Sequence, residues 1–296
     1  MDIKELINKS YYGTQGYIGS IEDLEKLEIY VNTNAKVINE YKNVIVATNF
    51  SSYDEGLQKR NADLWHKYFP NAIMLDSPVN RGHNHGYCDL ENLLVEYCID
   101  NDIEWLCKSA NDTLLTEDIW DLPLPDEEFD CYYQLQFNQE TIHMYKLDGD
   151  EMKNDWSNIQ GAFYFINTSK VTSWHNHDFL DSTYEHLKTI DGYDMQHGKI
   201  WEHIPEFECE LMIAAVVERN KLSKHYMYDG ELYFNLWKLV YEKGVNDPSH
   251  KNIMIQGICH LHFLEHEIAA IKLSPPKPKE MQLNITKPVK GTFSIN

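Results

Sequence analysis

Three polar clusters stand where apolar runs stop. Thr48-Asn49 ends the run Asn43-Val44-Ile45-Val46-Ala47. Asp76-Ser77-Pro78-Val79-Asn80-Arg81-Gly82 follows Ala72-Ile73-Met74-Leu75, and Lys108-Ser109-Ala110-Asn111-Asp112 follows Ile103-Glu104-Trp105-Leu106-Cys107. Taken singly, each has the residues of a turn or cap. At the carboxyl ends of parallel strands, the same groups line the crevice where open α/β sheets take their ligands. Arg81 and Lys108 then read either as solvated surface groups or as cations that clamp a phosphate. Histidine pairs two residues apart occur at His83/His85, His175/His177 and His260/His262, a spacing that on a strand turns both rings to one face. Of these, His260/His262 sits in a strand-like run, while His83/His85 falls in a turn bounded by Gly82 and Gly86. Asp148-Gly149-Asp150 follows an alternating run and reads as a hairpin turn. Glu206, Glu208 and Glu210 open a helix, where the dipole keeps carboxylates ionised; they are either capping residues or a general base, with Glu206 assigned to capping.

The elements that must position these groups follow from periodicity. Ser20-Ile21-Glu22-Asp23 opens a helix whose apolar positions Leu24, Leu27, Tyr30, Val31, Val37 and Ile38 follow helical spacing. Residues 43–49 form a strand buried on both faces, expected to be the first of the core. Helices over 55–68 and 87–100 alternate with strands at 72–75 and 103–107, and that rhythm implies a parallel sheet. After Asp112 the runs at 130–137, 142–147 and 161–166 follow closely on one another and predict a mixed or antiparallel half. Helices are expected at 168–188, 208–219 and 231–242, with a last apolar run at 253–263. The Pro-rich stretch from Ser274 begins an extended arm over residues 273–296, after a single domain spanning 1–272.

Together the three clusters resemble the nucleotide-binding half of a GT-A glycosyltransferase, over roughly residues 43–115. The resemblance implies a GT-A-like, Rossmann-like mixed sheet, its N-terminal half parallel with helices on both faces and its C-terminal half mixed. It also implies transfer of a sugar from a nucleotide diphosphate sugar to an acceptor hydroxyl. The nucleotide would meet Thr48, Asn49, Asn80, Arg81, Gly82, Gly86 and Lys108. The family's acidic motif appears as Ala110-Asn111-Asp112, with one carboxylate where two are usual. Asp112, with His260 or His262 completing the ligand set, would hold Mn²⁺ or Mg²⁺, and Glu208 or Glu210 would act as base. Residues 116–272, rich in Trp and Tyr, would carry a glycan or small-molecule acceptor. Two other readings fit some of the same residues: a metal-dependent hydrolase built on the histidine pairs, and a nucleotide- or sugar-binding protein without turnover.

Composition narrows the partners. With 26 Lys+Arg against 47 Asp+Glu, the net charge of −21 opposes docking on nucleic acid or anionic membranes. The six cysteines form no C-x-x-C pair, as expected of buried thiols in a reducing compartment. No run approaches a membrane span and the start lacks a secretory pattern, so the expected location is the cytoplasm.

Overall fold

In the computed structural model the described residues are 1–16, 18–49, 55–78, 83–136, 146–147, 150–151, 158–172, 216–217, 220–227, 252–260, 268–272 and 284–285. The chain opens with helix α1 (Ile3–Lys9), capped by Asp2, which accepts from the Glu5 amide at 2.8 Å. It runs directly into strand β1 (Ser10–Gln15). The core therefore starts one strand earlier than the sequence predicts. Gly13 and the polar Thr14-Gln15 end interrupt the apolar run by which a buried strand is recognised, and the helix leaves no turn to announce it.

Helix α2 (Ile21–Ile38) begins at the expected Ser20 cap and buries Leu24, Leu27, Tyr30, Val31, Asn34, Val37 and Ile38. Then come β2 (Asn43–Thr48), α3 (Glu55–Tyr68), β3 (Ile73–Asp76), α4 (His83–Asp100) and β4 (Trp105–Ala110). Because α4 begins at His83, His83, His85 and Gly86 belong to its first turn rather than to a glycine-bounded loop. Past β4, the described strands are β5 (Thr113–Leu115), β6 (Cys131–Gln136), β7 (Lys146–Leu147), β8 (Asp150–Glu151), β9 (Asn158–Asn167), β10 (Lys224–Tyr226), β11 (Asn252–Ile255), β12 (Ile258–His260), β13 (Ile268–Lys272) and β14 (Asn284–Ile285).

Seven strands form the main sheet in the order β10-β6-β9-β4-β1-β2-β3. β3, β2, β1 and β4 are mutually parallel, and β9 runs antiparallel to both β4 and β6. This is the α/β, Rossmann-like mixed sheet that the sequence predicts, with a parallel first half and a mixed second half. Helices cover both faces. The side chains of Tyr12, Val44, Val46 and Cys107 join α1, α2 and α3 in one core cluster, while Ile45, Ala47 and Leu106 join Leu90, Leu94, Val95 and Cys98 of α4 in the other. A second sheet, β14-β13-β11-β12-β5, starts immediately past β4, so the Asn111-Asp112 turn is the junction between the two sheets.

Two further expectations change. Thr168–Lys170 is a single 3-10 turn capped by Asn167, whose side chain takes the Ser169 amide as a helix-opening cap would, so no α-helix begins there. The apolar run at 253–263 divides into β11 and β12 at Gln256-Gly257, both left-handed (φ 47° and 81°). A Cβ on Gly257 would collide with the Ile119 backbone, so this turn needs glycine twice over. The hairpin reading of Asp148-Gly149 agrees with the pairing of Leu147 opposite Asp150. Asn284–Ile285, inside the expected arm, pairs with β13. Residues 173–188, 208–215 and 231–242 lie outside the described residues.

Candidate functional site

The parallel strands end together. Thr14 and Gln15 of β1 stand level with Val46 and Ala47 of β2 and with Ser109 and Ala110 of β4. Just beyond that line, Thr48 Oγ1 donates to the Gly16 carbonyl at 2.8 Å, the Ser77 amide donates to the Thr48 carbonyl at 2.8 Å, and Asn49 Nδ2 donates to the Ser77 carbonyl at 3.2 Å. Thr48 and Asn49 thus brace the loops leaving β1 and β3. Gly16 is packed so closely against the Asn111 side chain that any Cβ would overlap it, and this closes the β1 end onto the β4–β5 turn.

Side chains alternate across a strand, so Tyr12 and Thr14 face α2 and α3 while Gly13 and Gln15 face α4. Gln15 is flanked in register by two alanines, Ala47 and Ala110, on the same face. Only 4% of it is exposed, and neither its Oε1 nor its Nε2 has a hydrogen-bond partner among the described residues. An unsatisfied buried amide costs free energy, on the order of 1–3 kcal/mol, unless something outside the fold completes it. On the opposite face Thr14 Oγ1, Gln58 Oε1 and Asn61 Oδ1 are likewise buried without partners among the described residues. Gln58 Nε2 donates to the Ile18 carbonyl at 3.1 Å, tying α3 to the segment that follows β1.

One row back from the edge, Lys108 faces α4 and is fully buried. Its Nζ donates to Tyr87 Oη, lies 3.7 Å from Glu91 Oε1, and sits 4.3 Å and 5.9 Å from the Tyr87 and Tyr164 ring centroids. Tyr164 Oη donates to Glu91 Oε1 at 2.7 Å. Burial, and then the Glu91 charge, hold the Tyr164 phenol well above its ordinary range.

Asp112 is placed by α2. Asn34 Nδ2 donates to the Thr113 carbonyl at 2.8 Å, its Oδ1 accepts from the Leu115 amide at 2.9 Å, and Tyr30 Oη donates to the Ala110 carbonyl at 3.0 Å. β12 then pairs with β5, His260 opposite Thr113 and Cys259 opposite Leu114. Cys259 is pushed up to about 12 by burial and, secondarily, by the Asp112 charge. Among the described residues no three His, Cys, Asp or Glu side chains converge as a metal site would require. The described donors at this junction are Asp112 and Cys259; the His260 side chain and His262 lie outside the described residues.

No family model matches this chain, and no curated protein matches it in sequence. Solved structures with a similar arrangement include a mannose-1-phosphate geranyltransferase from Thermus thermophilus, 11% identical, covering 93% of this chain and 94% of its own, with a TM-score of 0.38. An inositol-1-phosphate CTP transferase from T. maritima is 10% identical and covers 73% of this chain and 85% of its own, at a TM-score of 0.39. A glycosyltransferase involved in glycosylation of the major capsid of PBCV-1 is 8% identical and covers 66% and 77%, at a TM-score of 0.30. Likeness at that level carries no functional weight.

Of the residues expected at the site, Thr48 ends β2, Asn49 follows it and Asp112 lies in the turn after β4, so the three stand at the carboxyl ends of the two strands that flank β1. Gly86 is buried in the first turn of α4 and Lys108 lies beneath α4. Asn80, Arg81, Gly82, Glu208 and Glu210 lie outside the described residues. Sequence reasoning missed Gln15, because β1 was not recognised, and missed the Glu91 partner of Lys108. A signal for that pair was present: a lysine inside a doubly buried strand, and an acid within the Tyr87-Glu91-Leu94-Val95-Cys98 stripe of a helix.

Proposed function

We propose that this chain is a glycosyltransferase that holds a nucleotide diphosphate sugar at the carboxyl edge of β1, β2 and β4 and passes the sugar to an acceptor hydroxyl. The observation that carries the reading is Gln15. It offers a donor and an acceptor side by side, buried, unpartnered among the described residues and flanked by alanines at the end of the central strand. That pairing of groups complements the edge of a nucleobase. Because β1 precedes β2, the end of the first strand of the sheet falls on Thr14-Gln15-Gly16, with Thr48 and Asn49 as its neighbours.

In the proposed reaction the acceptor hydroxyl oxygen attacks the anomeric carbon. The bond from that carbon to the diphosphate oxygen breaks, its electron pair leaves with the nucleoside diphosphate, and the hydroxyl proton passes to Glu208 or Glu210. Asn80, Arg81, Gly82 and Gly86, around the start of α4, would face the diphosphate. A Mn²⁺ or Mg²⁺ ion held by Asp112 with His260 or His262 would supply charge neutralisation for the leaving group; the described donors alone are too few for such a site. Residues 116–272 would carry the glycan or small-molecule acceptor. One observation favours a second reading, binding without turnover. Ala110 has no carboxylate and Asn111 is packed against Gly16, so Asp112 is the single acid of the turn.

A thermal-shift screen of UDP, GDP, CDP and ADP, with and without Mn²⁺ or Mg²⁺, tests the proposal. Ligand at about a hundred times its Kd stabilises by roughly 2.7 kcal/mol, which is several degrees in melting temperature. Gln15→Met should raise the ligand-free melting temperature, because it removes an unsatisfied amide worth on the order of 1 kcal/mol or more, and should abolish the nucleotide response. A variant both less stable and still responsive would sink the assignment. Release of free nucleoside diphosphate from the matching nucleotide sugar then separates transfer from binding alone.

A further inference from the structure

The Lys108–Glu91 pair is a charged inclusion among the apolar side chains of Ile45, Ala47, Leu90, Leu94, Val95, Cys98 and Leu106. Both side chains are fully buried. A buried ion pair contributes little net stability compared with well-packed apolar residues of the same volume, but it is directional where apolar packing is not. Here the direction is well defined. Lys108 comes from β4, Tyr164 from β9 immediately opposite it, and Tyr87 and Glu91 stand one turn apart in the first half of α4. The ammonium reaches Tyr87 Oη and Glu91, and the Tyr164 hydroxyl reaches the same Glu91 oxygen. Gly13, the other in-register neighbour of Lys108, has no side chain, and its place is filled by the Leu94 and Leu106 methyl groups. Further along α4, Leu94, Val95 and Cys98 pack in the apolar cluster, where contacts are not directional as those of the clasp are.

We infer that Lys108 and Glu91, clasped by Tyr87 and Tyr164, are positioning residues that fix the height and rotation of the opening turns of α4 against the sheet. They thereby set where the amino end of α4 meets the carboxyl edge. Lys108 acts from beneath the helix. This does not depend on the identity of any substrate.

Hydrogen exchange of the free protein reads it directly. Lys108→Met alone removes the ammonium beside the buried Glu91 carboxylate and should lower the melting temperature. The double variant Lys108→Met/Glu91→Leu, apolar on both sides, should return it close to that of the wild type. In the double variant, backbone amides of residues 87–91 should nonetheless exchange on the order of ten-fold faster, while those of residues 94–98 stay at the wild-type rate. A pair that merely fills space would leave both segments unchanged once stability is restored, and that result overturns the inference. If the double variant fails to fold, Tyr164→Phe gives the same reading more gently: faster exchange confined to 87–91 supports the clasp, and uniform or unchanged exchange overturns it. Binding of inorganic pyrophosphate, followed by calorimetry, should weaken in the double variant if the amino end of α4 faces an anion. If the wild type does not bind pyrophosphate, the nucleotide reading suffers, while the exchange result still decides the positioning role.

Discussion

On the α2/α3 face of the sheet the buried polar groups form a neutral network: Tyr12 and Tyr30 share a hydroxyl contact, Tyr30 reaches the Ala110 carbonyl, and Asn34 joins the Thr113 carbonyl to the Leu115 amide along one edge of β5. On the α4 face the corresponding depth holds a full charge pair, Lys108 with Glu91, between two tyrosine rings. Both sets reach residues close to the same carboxyl edge. A neutral network loses a bond or two when one member goes, whereas breaking a buried charge pair takes the counter-ion from a desolvated charge. The two faces should therefore answer truncation very differently, although both brace one edge.

The largest effect belongs to the charged face. Lys108→Met should lower unfolding free energy by about 3–5 kcal/mol, because it removes one partner of a fully buried ion pair; urea denaturation measures it. Asn34→Leu comes next, at about 2–3 kcal/mol, since it orphans both the Thr113 carbonyl and the Leu115 amide. If Asn34→Leu proves the more damaging of the two, the contrast between the faces is lost. Tyr30→Phe should be mildest, about 1 kcal/mol, as one hydroxyl is removed.

Tyr30 also gives the neutral face a pH signature. Burial is the main reason its phenol is pushed from its ordinary 10.0 to about 12. A raised acid binds its proton more tightly in the folded state, so its contribution is fully present below pH 10 and is lost as pH rises toward 12. Absorbance titration of phenolate should show part of the tyrosine complement ionising late and together with unfolding, and Tyr30→Phe should reduce that late step.

The helical and strand elements from α2 to β4 were legible because each repeats one period over several residues and is bounded by caps or turns, as Ser20 and the Asn111-Asp112 turn show. β1 was not. Its six residues include Gly13 and end in Thr14-Gln15, and the polar end that hides the strand is the part placed at the candidate site. The edge positions of Thr48, Asn49 and Asp112 could be read from strand ends alone. The clasp on Lys108 needed the helix pattern as well, because Tyr87, Glu91 and Tyr164 come from a helix and a strand that the chain brings together only on folding.

The central claim is that a nucleoside diphosphate binds beyond the ends of β1, β2 and β4. Hydrogen exchange measured with and without the nucleoside diphosphate that gives the largest thermal shift locates the ligand without presupposing chemistry. The account predicts slowed exchange at residues 14–18, 48–50 and 109–113, with the opposite ends of the same strands, near Ser10, Asn43 and Trp105, unchanged. Slowing centred on those opposite ends, on the second sheet alone, or nowhere in the chain would contradict it.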